Sequence, residues 1–290
     1  MELRVLQYFL AVAREGSISK AAEAMNISQP SLSRQLKDLE IKLGKTLLQR
    51  GSKRTTLTEE GMLLRKRAEE IVDLSQKAEA ELRQSDSFIE GDVWIGGGES
   101  EGMRYIARAA SSLQKEYPGI HVHLISGNSV DIMERLEKGL VDFGVGVGTA
   151  DNHDSFALPV THKEGLLMRK DSPLASRSGI EPSDLIGIPI ISYRNKKARL
   201  RYEKWMGREA FEALNIVASY NLIYNAAFLV EEGVGYALCW NGLVRASEEH
   251  SLCFIPYEPS MEVSVDITWK KHQVFSKASL KFLERLREMT

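Results

Sequence analysis

Apolar residues at helical spacing open the chain. Leu3, Leu6, Leu10 and Ala13 recur every three or four positions, and Val5, Phe9 and Val12 widen the stripe. This predicts a first helix ending near Gly16. Ser17 or Ser19 can cap a second, short helix through Met25, whose small Ala21 and Ala22 allow a neighbour to cross closely. A polar turn, Asn26-Ile27-Ser28, then interrupts the pattern. Ser28 caps the next helix, and Pro30 is tolerated in a first turn whose N–H groups have no intrahelical partner. Leu32, Leu36, Leu39 and Leu43 continue as its buried stripe. LLQRGSKRTTLT follows, two short extended pieces around Gly51.

From Thr58 to about Ser85 the chain has no Pro, and Gly61 is its only Gly. Thr58 before Glu59 and Glu60 is a good helix start. Leu64, Ala68, Ile71, Ser75, Ala78 and Leu82 make a heptad-like seam along this helix, suited to a partner helix or to packing on its own body. After Ser87 the texture changes. VWIGG, IHVHLIS and DFGVGVG read as strands, with helices IARAASSLQKEY and SVDIMERLEKG between them. GLLMRK, IPIISY, IVASY, YALCW, LCFIPY and VSVDITW continue the strands, with helices near 199–212, 224–232 and 275–289. Such alternation predicts an α/β architecture with largely parallel sheets, where ligands bind beyond the carboxyl ends of strands.

Composition bounds these readings. At 290 residues and 43% hydrophobic content, the chain can bury a real core and fill two or more domains. No apolar run reaches the ~18 residues a membrane span needs, so no membrane partner is expected. MELRVLQYFLAVAREG lacks a basic n-region and a cleavage site, and Cys239 and Cys253 are the only cysteines. Both point to the cytoplasm. Net charge is −2, but its distribution is uneven. Through Leu57 ten basic residues face five acidic ones, a net of +5 that leaves −7 for the remainder. A basic head on an acidic body suggests an anionic partner for the head.

Double-stranded DNA fits that description. A helix-turn-helix lays its second helix in the major groove with its N-terminal side chains nearest the base edges. Here those are Ser28, Gln29, Ser31, Ser33 and Arg34, with Lys37 one turn on, and arginine can grip guanine in bidentate fashion. Arg50, Lys53 and Arg54 would form a basic wing on phosphates. A packed helical hairpin with a polar outer face is the alternative that spacing alone leaves open.

Residues 1–61 resemble the winged helix-turn-helix of LysR-type transcriptional regulators. The resemblance is carried by Phe9, the block GSISKAAEAMNISQPSLSRQLKDLE, Leu43-Gly44, Arg50 and LTEEG at 57–61. Leu48 departs from it, standing where the family usually has Phe. GDVWIGGGES, EYPGIHVHLISGNS, GLVDFGVGVG and LVEEGVGYAL extend the resemblance to the family's effector-binding domain, which is similar to type 2 periplasmic binding proteins. It implies an N-terminal winged helix-turn-helix over 1–58 and a linker helix over 59–87 that pairs subunits. A two-lobed α/β domain over 88–290 would follow, with lobe I at 88–160 and 268–290 and lobe II at 161–267, joined by crossover strands near residues 160 and 267. The implied function is sequence-specific regulation of transcription by a homodimer, and usually a homotetramer, under a small-molecule effector. No cofactor is implied.

Strand ends and helix starts locate the effector, because unpaired N–H groups lie there beside rigid scaffold. Ser100 and Glu101 follow VWIGG, and Asn128 and Ser129 follow IHVHLIS. On the other lobe stand Ser192 and Tyr193, then Asn221 and Tyr224. Each could equally be a cap or turn residue. Arg194, Lys196 and Lys197 would favour an anion and Glu99 and Glu101 would oppose one, so the ligand's charge stays open. Gly96-Gly97-Gly98 satisfies no phosphate-loop motif and reads as a tight turn. His121 and His123 lack an acidic or thiol partner nearby in sequence, so no metal site is expected. Cys239 and Cys253 lie on apolar strands and read as inert thiols. No catalytic ordering stands out, so an enzyme is not expected. The competing reading is a solute-binding or catalytic α/β protein with a structural helical head.

Overall fold

The computed structural model describes residues 1–51, 54–83, 89–146, 152–193, 196–244 and 251–290. It divides into two compact units, Met1–Gln84 and Ser85–Thr290.

In the first unit, α1 (Leu3–Glu15), α2 (Ile18–Ala24) and α3 (Gln29–Leu43) pack around Leu6, Phe9, Val12, Ala21, Leu32 and Leu36. Ser17 and Ser28 cap α2 and α3 by accepting the amides of Lys20 and Ser31. Leu43 is 41% exposed rather than part of the buried stripe, because the last turn of α3 before Gly44 overhangs the core. A two-stranded wing follows, β1 (Leu48–Arg50) paired antiparallel with β2 (Thr55–Leu57). Leu48 is buried in the same core. Glu40 ties α3 to the wing, its Oε1 accepting the amides of Leu47 at 2.7 Å and Leu48 at 3.1 Å.

The long helix α4 (Glu59–Arg83) starts where Thr58 Oγ1 accepts the Gly61 amide. Gly61 is required there, since a Cβ would lie 2.2 Å from the Leu47 carbonyl oxygen. The apolar seam divides in two. Leu64 and Ala68, with Val72 from outside the seam, pack onto the core of this unit, Ser75 is half-buried, and Ile71, Ala78 and Leu82 lie open beside exposed Leu63 and Leu74.

The second unit is built on a nine-stranded sheet. β3 (Gly91–Gly97) pairs parallel with β4 (Ile120–Ser126) and with β5 (Phe143–Gly146). β7 (Pro189–Tyr193) pairs parallel with β8 (Asn215–Tyr220) and β9 (Tyr236–Trp240). These two parallel triples are joined by β6 (His153–Arg169) and β11 (Glu262–Lys270), which run antiparallel to each other, while β10 (Leu252–Pro256) pairs antiparallel with β6. The sheet is therefore mixed, not largely parallel, because the crossover strands serve both triples. β6 is also far longer than the GLLMRK segment suggested, reaching back to His153.

Separate cores lie on either side of the crossover. α5 (Met103–Glu116) and α10 (Lys277–Glu288) pack on the first triple around Ile95, Ile106, Phe143 and Phe282. α6 (Ser129–Glu137) covers its other face. The second triple has Leu166, Ile190 and Tyr257 on one face and Ile191, Ile223 and Val230 on the other, the latter beneath α9 (Ile223–Glu231). The helix expected over 199–212 is two, α7 (Lys196–Met206) and α8 (Arg208–Glu212), parted at Gly207 with φ +86°. No helix among the described residues is long and apolar enough to cross a membrane.

Candidate functional site

Two places carry the chemistry that the sequence pointed to, one in each unit. In the first, Ser28 to Lys37 form the opening turns of α3. Ser28, Gln29, Ser31, Arg34 and Lys37 are exposed, and Ser33 is half-buried. Leu32 and Leu36 are buried on the opposite side, which leaves the polar row facing outward on a rigid helix. Arg54 follows the wing turn, and its side chain lies across the C-terminal end of α1. A Cβ at Gly16 would lie 2.7 Å from Arg54 Nε. A cation there complements the negative end of the helix dipole, so Arg54 has a structural task besides any phosphate contact. Arg50 is placed in β1, but its side chain and the whole of Lys53 lie outside the described residues.

In the second unit a cavity of about 90 Å³ opens where the two triples meet the crossover. The carboxyl ends of β3 and β5 supply Gly98, Ser100 and Gly146. The first turn of α6 supplies Ser129, the end of β7 supplies Tyr193, and the β8–α9 junction supplies Tyr220, Asn221 and Ile223. Four of the eight expected residues thus line it: Ser100, Ser129, Tyr193 and Asn221. The other four do not. Glu101 pairs with Arg104. Asn128 is the N-cap of α6, its Oδ1 accepting the amides of Val130 and Asp131. Ser192 sits half-buried on β7, and the exposed Tyr224 ring stacks edge-on against Phe228.

The cavity's charged groups are ones the strand-end rule missed: Glu99, Glu164 and Arg201. Glu99 sends its carboxylate across to the start of α9, where Oε2 accepts the Ile223 amide at 2.5 Å and Oε1 the Tyr224 amide at 3.2 Å. Helix N-termini attract anions, and this one holds a carboxylate of the chain itself. Glu164 is buried on β6. Its Oε1 accepts Arg201 Nε at 3.0 Å and Nη2 at 2.5 Å, together with Trp240 Nε1 at 3.3 Å. Its Oε2 has no hydrogen-bond partner among the described residues. Gly165 must follow it, because a Cβ there would lie 2.4 Å from the Ile255 carbonyl oxygen.

Ser100 is fixed by a second buried side chain of β6, His162. The His162 Nδ1 faces the Asn241 carbonyl at 3.1 Å and therefore donates, so in the neutral ring Nε2 accepts the Ser100 hydroxyl proton at 3.0 Å. The imidazole also stacks on Trp240 at 5.3 Å. Ser100 Oγ accepts the Gly102 amide at 2.9 Å. Burial pushes the Cys239 thiol far up, with the negative fields of Glu164 and Glu99 adding to it. Tyr220 is likewise held protonated, by burial first. Cys239 is thus a thiol at neutral pH, unsuited to nucleophilic or redox work. His123 lies 2.6 Å from Asp92 and stacks on Trp94. Among the described residues no group of three or more His, Cys, Asp or Glu is arranged to hold a metal.

Comparison with known proteins agrees on both units. Residues 3–62 match the family described as "Bacterial regulatory helix-turn-helix protein, lysR family", and residues 89–290 match the "LysR substrate binding domain". The chain is 32% identical over 182 residues to the HTH-type transcriptional regulator CysL of Bacillus subtilis (strain 168), covering 62% of this chain and 61% of that protein. It is 25% identical over 288 residues to the uncharacterized HTH-type transcriptional regulator YbhD of Escherichia coli (strain K12), covering 98% and 90%. In fold it is similar to full-length CbnR complexed with its target DNA, with a TM-score of 0.72 at 19% identity and complete coverage of both chains.

Proposed function

As a member of the LysR family of bacterial transcriptional regulators, the chain is a DNA-binding regulator, not an enzyme, with a substrate-binding domain for a small-molecule effector, and we propose which of its residues divide that work. Gln29, Ser31, Ser33 and Arg34 read base edges from the first turns of α3, while Ser28, Lys37, Arg50, Lys53 and Arg54 hold phosphates. The observation carrying this is the outward polar row of α3 over a fully buried Leu32–Leu36 side. Short and forked donors on a helix N-terminal face are what a major groove selects.

The effector occupies the cavity at the crossover, in contact with Ser100, Ser129, Tyr193 and Asn221. The two triples act as lobes whose separation it sets. The open row Leu63, Ile71, Leu74 and Leu82 on α4 pairs with the same helix of a second copy, giving a dimer that acts in the cytoplasm and assembles further into a tetramer. Exposed apolar surface of this kind marks an association face.

The test is fluorescence anisotropy with the DNA upstream of the protein's own gene, alongside a metabolite screen for thermal stabilisation. Arg34→Ala should weaken that DNA and relax base preference, and Ser100→Leu should erase the response to whichever metabolite stabilises the wild type. An Arg34→Ala protein that folds and keeps both affinity and preference would overturn the docking. An unchanged metabolite response in Ser100→Leu would move the effector elsewhere.

A further inference from the structure

We propose that the effector is a small organic ammonium ion, a reading that rests on the cavity being the effector site. Three features of its wall ask for a hydrogen-bond donor carrying positive charge. The first is Glu164. Arg201 and Trp240 all direct their donors at Oε1, and Oε2 has none among the described residues although the side chain is only 1% exposed. A buried carboxylate oxygen without a donor is costly, and a positive charge held in the cavity would offset that cost through its field.

The second is Glu99. A ligand carboxylate would ordinarily seek the N-terminus of α9, but the Glu99 carboxylate already takes the Ile223 and Tyr224 amides. Among the described residues Glu99 has no ion-pair partner, so an anion brought there meets a carboxylate whose charge is offset by the α9 amides alone. The third is Ser100. With a neutral His162 ring its proton goes to Nε2 and one lone pair to the Gly102 amide, so what remains for a ligand is an acceptor. Tyr193, Tyr220 and Trp240 complete the wall with aromatic side chains. The cavity's volume of about 90 Å³ suits a small molecule.

The experiment uses the full chain and three matched probes: n-pentylammonium chloride, pentan-1-ol and sodium pentanoate, at equal ionic strength and millimolar concentration. Thermal shift and titration calorimetry should rank the ammonium first and the carboxylate last. Glu99→Gln and Glu164→Gln should each weaken the ammonium by about tenfold. Because Glu164→Gln unpairs Arg201 and can disturb folding, Glu99→Gln keeps the test decisive, and tryptophan emission checks both variants. Absence of stabilisation by pentylammonium, or affinity for it that survives both substitutions, overturns the proposal. Tighter binding of pentanoate that Ser100→Leu abolishes overturns the ammonium while leaving the cavity as the effector site. Binding of any probe that Ser100→Leu leaves unchanged removes the effector site from this cavity as well.

Discussion

The two units place their candidate contacts on the chain in opposite ways. In the first, the outward polar row lies within one helix, Ser28 to Lys37, and its wing follows within about twenty residues. In the second, the cavity collects residues as distant as Gly98 and Leu243, from the ends of five strands and the starts of helices. The first surface is exposed and polar, shaped to meet a large anionic partner. The second is a partly open cavity whose carboxylates have internal partners: Glu164 on Arg201, Glu99 on the amides of α9. A local site is held by one helix, so it depends on that unit's core alone. A dispersed site depends on the spacing of two lobes, and anything that shifts the lobes changes the site. That asymmetry suits a receiver in the second unit and a reader in the first.

The largest expected effect separates the two cores. Phe9→Ala removes a fully buried ring from the first unit and should cost that unit about 3–5 kcal/mol. All four tryptophans, Trp94, Trp205, Trp240 and Trp269, belong to the second unit. Urea melts followed by tryptophan emission should therefore keep their midpoint, while helical circular dichroism loses stability early. Coincident destabilisation by both probes would show that the units fold as one and break the comparison. Next, Gly61→Ala drives a methyl group toward the Leu47 carbonyl oxygen and should cost about 1–3 kcal/mol of the same unit, read by circular dichroism.

Arg34→Ala follows, with an expected loss of about 1–3 kcal/mol for the preferred operator and flatter discrimination among base substitutions at one position. Arg54→Ala sharpens the contrast. It should weaken all sequences alike and reduce the salt slope by about one, and it should also lower stability slightly because the guanidinium lies over the end of α1. A salt titration of operator and random DNA checks both variants.

The smallest effect is a pH dependence in the second unit. Burial raises the Asp266 carboxyl above its ordinary value, so folding disfavours its ionised form. The penalty is present above the folded-state pKa and disappears as pH falls below the unfolded-state value. Asp266→Asn should thus stabilise the protein slightly at neutral pH, where solvent screening keeps the effect small, and the gain should vanish in acid. Urea midpoints at neutral and acid pH test the sign.

How legible each region was follows from the same asymmetry. Helix caps, the polar turn and the leucine stripe specify α2 and α3 locally, so Ser17 and Ser28 act as the caps their residue types predict. Leu43 misleads because periodicity cannot say where a core ends. In the second unit the strands appeared wherever apolar runs marked them. The resemblance placed a crossover strand near residue 160, but apolar runs alone mark only the GLLMRK end of β6, because buried His153, His162 and Glu164 are polar and hide the alternation. Glu164 lines the cavity and His162 holds Ser100 from mid-strand, so a rule that looks at strand ends passes over both. Glu99 was seen only as a charge opposing an anion, since nothing in sequence brings it to Ile223, 124 residues away. Four of the strand-end candidates line the cavity, and Asn128 shows the competing outcome, a cap.

The central claim is that occupancy of the cavity in the second unit controls how the first unit engages DNA. A DNase footprint titration of the full chain on its own upstream DNA, with and without the metabolite that stabilises it, tests this directly. The account predicts that the ligand changes the operator affinity or the length of the protected segment in the wild type, and that Ser100→Leu shows the ligand-free footprint under both conditions. A ligand that binds the wild-type cavity yet leaves affinity and footprint unchanged would contradict it.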